Sequence, residues 1–165
     1  MKLEKFEREE IQAYFKIDEK ISNIEERIKE ITEIFYSQTM STRTESDGKE
    51  IYSRGFNMDR NVVLYLDTIL ARERTIEILR KRKSYLNNYL NSLDPLDKKY
   101  LIDRYKKDYL PKSVNSLDKE LYLEILEINE AINNMYGYPP DLRNSDVTND
   151  YLESDFDKIA DMLGV

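Results

Sequence analysis

Apolar residues recur through the first 36 positions at alternating steps of three and four: Tyr14, Ile17, Ile21, Ile24, Ile28, Ile31 and Phe35. Charged residues fill most of the positions between them, among them Glu19, Lys20, Glu25, Glu26, Arg27, Lys29 and Glu30. Such a seam, sustained over about three heptads, predicts one long helix across residues 3–36. Two arrangements satisfy it. One is an antiparallel helix of the same chain. The other is a homodimeric coiled coil formed through Tyr14, Ile17, Ile21, Ile24, Ile28 and Ile31. The pattern then stops. Residues 37–58 open with Ser37-Gln38-Thr39-Met40-Ser41-Thr42 and carry no apolar period, so they read as a connection. Asp59 is the expected N-cap of a second long helix reaching about residue 92. Its apolar face is Val62, Leu66, Ile69, Ile76, Leu79, Leu86, Leu90 and Leu93. The two helices are expected to pair as an antiparallel hairpin.

Asp94-Pro95 marks the next start, with Pro at the first helical position and Asp97 in the first turn. Leu96, Tyr100, Leu101 and Tyr105 are expected to face inward, and Pro111 to stop this short helix. Ser116 is the expected cap of a fourth, with Leu117, Leu121, Ile125, Ile128, Ile132 and Met135 at near-heptad spacing and Gly137 at its end. Beyond an extended Tyr138-Pro139-Pro140-Asp141 segment, Tyr151, Leu152, Phe156, Ile159, Met162 and Leu163 suggest a last amphipathic helix. The expected fold is all-α. A helical hairpin or coiled-coil arm spans residues 1–92 with its loop at 37–58. A small helical domain with an acidic C-terminal segment spans 93–165. Composition agrees: charged residues make up 36% of the 165, while glycine and proline number four each. That balance favours solvated helices over sheets.

The residue inventory narrows the chemistry. Cysteine and histidine are both absent. Disulfides, thiolate metal sites, Cys nucleophiles and any His-assisted triad are therefore excluded. The glycines stand alone at 48, 55, 137 and 164, so no phosphate-cradling loop exists. Paired carboxylates such as Glu9/Glu10 and Glu25/Glu26 lie in charged helical surfaces with nothing to raise one pKa over the other. The cluster Asp146, Asp150, Glu153, Asp155 and Asp157 lacks the glycine and terminal Glu spacing of an EF-hand loop. No catalytic residue, metal or cofactor is expected, and the activity to look for is binding. No apolar run approaches the roughly 20 residues of a membrane span. The charged start, Met1-Lys2-Leu3-Glu4-Lys5-Phe6-Glu7, has no secretion-signal core, so a cytoplasmic place is expected.

The net charge of −7 is unevenly spread. Residues 71–112 carry twelve Lys and Arg against six Asp and Glu, a local +6. Residues 113–165 carry three against twelve, a local −9. The basic stretch offers Arg80, Lys81, Arg82, Lys83, Lys98, Lys99, Arg104, Lys106 and Lys107 to nucleic-acid phosphates, or else pairs with acids inside the fold. The acidic third is either a solubilising surface or a partner-binding one that imitates nucleic acid. Its candidate residues are Asp118, Glu120, Glu124, Glu127, Tyr136, Tyr138, Asp155 and Asp157. Thirteen tyrosines and no tryptophan suit an interface, because tyrosine gives amphipathic contact area at low entropic cost.

The run Leu93-Asp94-Pro95-Leu96-Asp97-Lys98-Lys99-Tyr100-Leu101-Ile102-Asp103-Arg104-Tyr105 resembles small phage transcription regulators of the ArpU and RinA type. Leu101, Arg104 and Tyr105 match the step that opens their DNA-binding part. The resemblance covers residues 60–110 best and implies a sigma-factor region-four-like helix-turn-helix with a DNA partner. Past Tyr105 the chain departs from the pattern. Asp108-Tyr109-Leu110-Pro111-Lys112-Ser113-Val114 stands where a glycine-containing turn belongs. The following helix carries Asp118, Glu120, Glu124, Glu127 and Glu130 against Lys119, a charge that phosphates repel. The leading expectation is a phage-type helical regulator acting through protein and DNA contacts. The alternatives are a phage counter-defence inhibitor of anti-CRISPR type, blocking a nucleic-acid-binding host protein, and a virion or assembly component.

Overall fold

The computed structural model describes residues 3–37, 43–46, 51–54, 58–107, 110, 111 and 113–137. The fold is all-α. Among those residues it has five helices and one two-stranded hairpin: α1 (Lys5–Phe15), α2 (Ile17–Ser37), β1 (Arg43–Ser46), β2 (Ile51–Arg54), α3 (Met58–Ser92), α4 (Pro95–Tyr105) and α5 (Ser116–Tyr136).

α2 and α3 run antiparallel. Asp18 pairs with Lys83 and Glu25 with Arg80, so numbers fall along α3 as they rise along α2. Thr32 and Tyr65 share a hydroxyl hydrogen bond at 3.1 Å, and Phe35 stacks on Tyr65 with ring centroids 4.2 Å apart. The apolar seam explains the pairing. Ile17, Ile21 and Ile24 are buried together with Ile76, Leu79, Leu86 and Leu90 of α3, and Ile31 is buried farther along α2. Ile28 packs against the same core from a half-buried position. Each such aliphatic side chain contributes about 1.5–3 kcal/mol when taken from water. The seam residues are thus occupied within one chain, so a coiled-coil dimer through Tyr14, Ile17, Ile21, Ile24, Ile28 and Ile31 does not fit this packing.

The expected single helix over residues 3–36 is interrupted at Lys16, whose backbone (φ −101°, ψ 15°) leaves the helical region. No glycine or proline marks the place. The break lies where the packing partner changes. α1 turns Ile11 and Tyr14 towards α4 and α5, whereas α2 lies along α3. Tertiary packing here overrides a continuous local periodicity. α5 also packs on α3, antiparallel to it, so that Tyr136 near its end meets Glu77. One core joins all five helices, with Leu101 and Tyr105 of α4 and Leu121, Ile125, Ile128 and Ile132 of α5 at its centre.

Helix ends follow local chemistry with small offsets. Asp94 sits at the N-cap of α4 in an extended conformation with Pro95 next, as expected, although its side chain makes no capping hydrogen bond. α5 is capped by Asn115 rather than Ser116: the Asn115 side chain accepts from the Asp118 backbone and Asp118 accepts from Asn115, each at 2.9 Å. That reciprocal pair satisfies two backbone donors, which a serine one residue later cannot do. Gly137 ends α5 with φ 69°, the left-handed conformation that favours glycine. Asp59 lies inside the first turn of α3 and is not its cap. The expected loop 37–58 contains an antiparallel pairing of Arg43 with Arg54 through Ser46 with Ile51. The expected helix at 151–163 lies outside the described residues.

Candidate interaction surfaces

Residues 80–83 of α3 are consecutive, so they point in directions about 100° apart. They form no common basic face. Arg80 is 3.0 Å from the Glu25 carboxylate, and Lys83 pairs with Asp18, both on α2. Lys81 turns the other way. It pairs with Glu77 at 3.1 Å and lies 4.8 Å from the centre of the Tyr136 ring. Arg82 is buried beside Tyr14 and Lys20. Burial lowers the Lys20 pKa, and the Arg82 charge lowers it further. Burial pushes the Tyr14 phenol well above the usual tyrosine range. A phosphate at Arg80, Lys81 or Lys83 would compete with the carboxylates of Glu25, Glu77 and Asp18 that already pair with them. Arg82 in particular is not presented to solvent.

The basic residues of α4 divide. Lys98 donates to the Asn91 side chain at 2.7 Å. Arg104 turns inward: its Nε is 3.3 Å from the fully buried Asp118 carboxylate, it donates to the Ser113 carbonyl, and its guanidinium lies 5.3 Å from the Tyr100 ring centre. Tyr105 is buried beside this pair. Burial first, and Asp118 second, raise its pKa above the usual tyrosine range. Leu101, Arg104 and Tyr105, the residues that carry the family resemblance, therefore all serve the core and the anchoring of α5. Lys99, Lys106 and Lys107 are exposed. The chain between α4 and α5 is also tied to α1, because Gln12 donates to the Lys107 carbonyl and Arg8 to the Pro111 carbonyl.

Most of the acidic candidates behave differently. Asp118 has no exposed surface: the N-terminal cap and the Arg104 pair use it, so it is an internal anchor and not a contact residue. Tyr136 is half-buried and donates its hydroxyl to Glu77 at 2.9 Å. That bond, followed by Lys81, lowers the Glu77 pKa. Glu120, Glu124 and Glu127 lie away from the core, with Glu120, Glu127 and their neighbour Glu130 exposed. Among the described residues none of these four carboxylates is paired with a cation. Burial of Glu124 and the neighbouring Glu127 charge raise the Glu124 pKa. Glu120 and Glu124 in turn raise that of Tyr89, after its own burial. Tyr138, Asp155 and Asp157 lie outside the described residues.

Two features of this face were not singled out by sequence reasoning. Leu123 and Leu126 stand in solvent on the side opposite Leu121, Ile125, Ile128 and Ile132, at 60% and 42% exposure. Their offset from the inward stripe is the signal that identifies them. Met135, expected on the core face, is half exposed. On α3 the expected core residue Leu66 is exposed along with Val63 and Leu70, because α2 covers the opposite side of that helix. Among the described residues no group of three or more potential ligands gathers for a metal, and no helix is long and apolar enough to cross a membrane. Compared with protein-family models, curated proteins and solved structures, the chain matches none.

Proposed function

We propose that this protein is a non-enzymatic cytoplasmic binding protein that presents the acidic outer face of α5 to the basic, nucleic-acid-binding surface of another protein. One observation carries the reading: the basic run 80–83 is used within the fold, whereas Glu120, Glu124, Glu127 and Glu130 have no cationic partner among the described residues. Such a row of carboxylates imitates the charge of a phosphate backbone. It attracts surfaces built to bind one and steers their approach. The lack of histidine and cysteine supports the non-enzymatic part. A phage counter-defence inhibitor is the biological role that fits such a surface.

A second reading keeps the resemblance to phage transcription regulators. The exposed Lys99, Lys106 and Lys107 on and just beyond α4 favour it, as basic residues whose side chains face solvent. Duplex binding would then fall with salt and fall again when these three lysines become glutamine.

The test is a pull-down from bacterial lysate with the full chain, beside a variant carrying Glu120→Lys, Glu127→Lys and Glu130→Lys. Recovery of a nucleic-acid-binding protein that salt releases, that duplex DNA displaces and that the variant fails to retain is the expected result. Equal recovery by the variant overturns the acidic-face reading. A low-salt gel shift of duplex DNA by the chain alone favours the regulator.

A further inference from the structure

Leu123 and Leu126 are one helical turn apart on a surface that no other described helix covers. Around them the spacing places Glu120 one turn before Leu123, Glu127 one turn after it, and Glu130 one turn after Leu126. The outer side of α5 is therefore an apolar pair flanked by three carboxylates, with Lys119 as the one cation of the helix, a turn before Leu123. Charge complementarity restricts what can cover it. A polyanion is repelled by the carboxylates. A polar basic loop answers the carboxylates but leaves both leucines wet. A surface that answers both has apolar residues one turn apart, with lysine or arginine about a turn beyond them. That is one side of a basic amphipathic helix.

We propose that the outer face of α5 docks a basic amphipathic helix of a partner protein. The helix lies along α5 with its apolar residues over Leu123 and Leu126 and its cations against Glu120, Glu127 and Glu130. This rests on the acidic-face reading and adds to it that the leucine pair, not charge alone, sets affinity. The half-buried Glu124 fits the same arrangement. Its carboxylate is crowded by Glu127, and a cation laid beside them relieves that repulsion.

The probe is a fluorescently labelled peptide of leucine and lysine at helical spacing, set beside an oligolysine of equal charge. Anisotropy is read against the full chain at fixed salt. The leucine–lysine peptide is expected to bind at least about tenfold more tightly than oligolysine. Leu123→Ser with Leu126→Ser removes that margin and leaves oligolysine binding unchanged. Both positions are exposed, so the fold is retained, and circular dichroism checks it. Leu66→Ser with Leu70→Ser, on the exposed side of α3, leaves the margin intact. Equal affinity of the two peptides overturns the inference while the acidic-face reading stands. So does a margin that survives the Leu123/Leu126 substitutions, or one that the α3 substitutions abolish. Failure of both peptides to bind sinks the inference and the acidic-face reading together.

Discussion

The basic run of α3 and the acidic face of α5 look like equivalent features when charges are counted, and the fold treats them in opposite ways. Residues 80–83 lie on a helix with a neighbour on two sides, so α2 and α5 meet most of the directions they point in. Arg80 and Lys83 find carboxylates on α2, Lys81 finds Glu77 and Tyr136, and Arg82 enters the core. α5 also lies at the edge of the bundle. Its inward stripe is apolar, and its outer carboxylates have no cationic partner among the described residues. Availability for a partner is decided by which element packs opposite a charge, and the number of charges in a segment does not report it.

Asp118 is the exception within α5, and removing it has the largest effect. Asp118→Ala leaves Arg104 partly buried without its carboxylate and breaks the capping pair with Asn115. A loss of about 3 kcal/mol is expected in urea denaturation, since unpairing a buried charge is costly. A loss below about 1 kcal/mol would mean that Asp118 is no different from the solvent-facing acids of its helix.

The next effect concerns α3. Arg80→Glu with Lys83→Glu sets like charges against Glu25 and Asp18. Both native pairs are well exposed, so the expected destabilisation is only about 1 kcal/mol, reduced at high salt by screening. No change in melting temperature at low salt would show that the run is not engaged by α2, and the contrast with α5 would fail.

The smallest effect is the pH dependence of Glu124. Its folded pKa is raised above the ordinary value of 4.5. The folded state thus holds this proton more tightly than the unfolded chain does. The contribution to stability is full below the ordinary carboxylate pKa and is lost as pH rises through the raised one. Glu124→Gln is therefore expected to stabilise the protein at neutral pH by about 0.3 kcal/mol, with the gain fading on acidification below the raised pKa. A gain of the same size at all pH values would point to helix propensity instead of charge.

Much of the fold was legible in the sequence where local chemistry and the final packing agree. Asp94-Pro95 and Gly137 set helix ends by backbone geometry alone, and the isoleucine seam named the buried side of α2. The strand pairing of residues 43–54 was missed, although Asp47-Gly48 between β-prone residues is a hairpin signal. The break at Lys16 had no local signal, because it follows from α1 packing on helices a hundred residues away. The candidate site was less legible still. Arg82 and Asp118 read as surface charges in their runs, and their burial depends on the neighbours Tyr14 and Arg104, contributed by other helices. Leu123 and Leu126 were hidden for the opposite reason: leucine in a helix is ordinarily counted towards the core.

The hydrogen bond from the Tyr14 hydroxyl to Asn129 joins residues 115 positions apart. Among the described helices α1 is the first made during synthesis, and its partner on α5 arrives last. At ribosomal speeds of about 5–20 residues per second, Ile11 and Tyr14 wait roughly 6–23 seconds for the surface that buries them. α2 and α3 form their pairing earlier, from neighbouring stretches of chain. Until then α2 and α3 form a hairpin on which α1 sits loosely, and the described bundle closes only when α5 emerges and takes up α1.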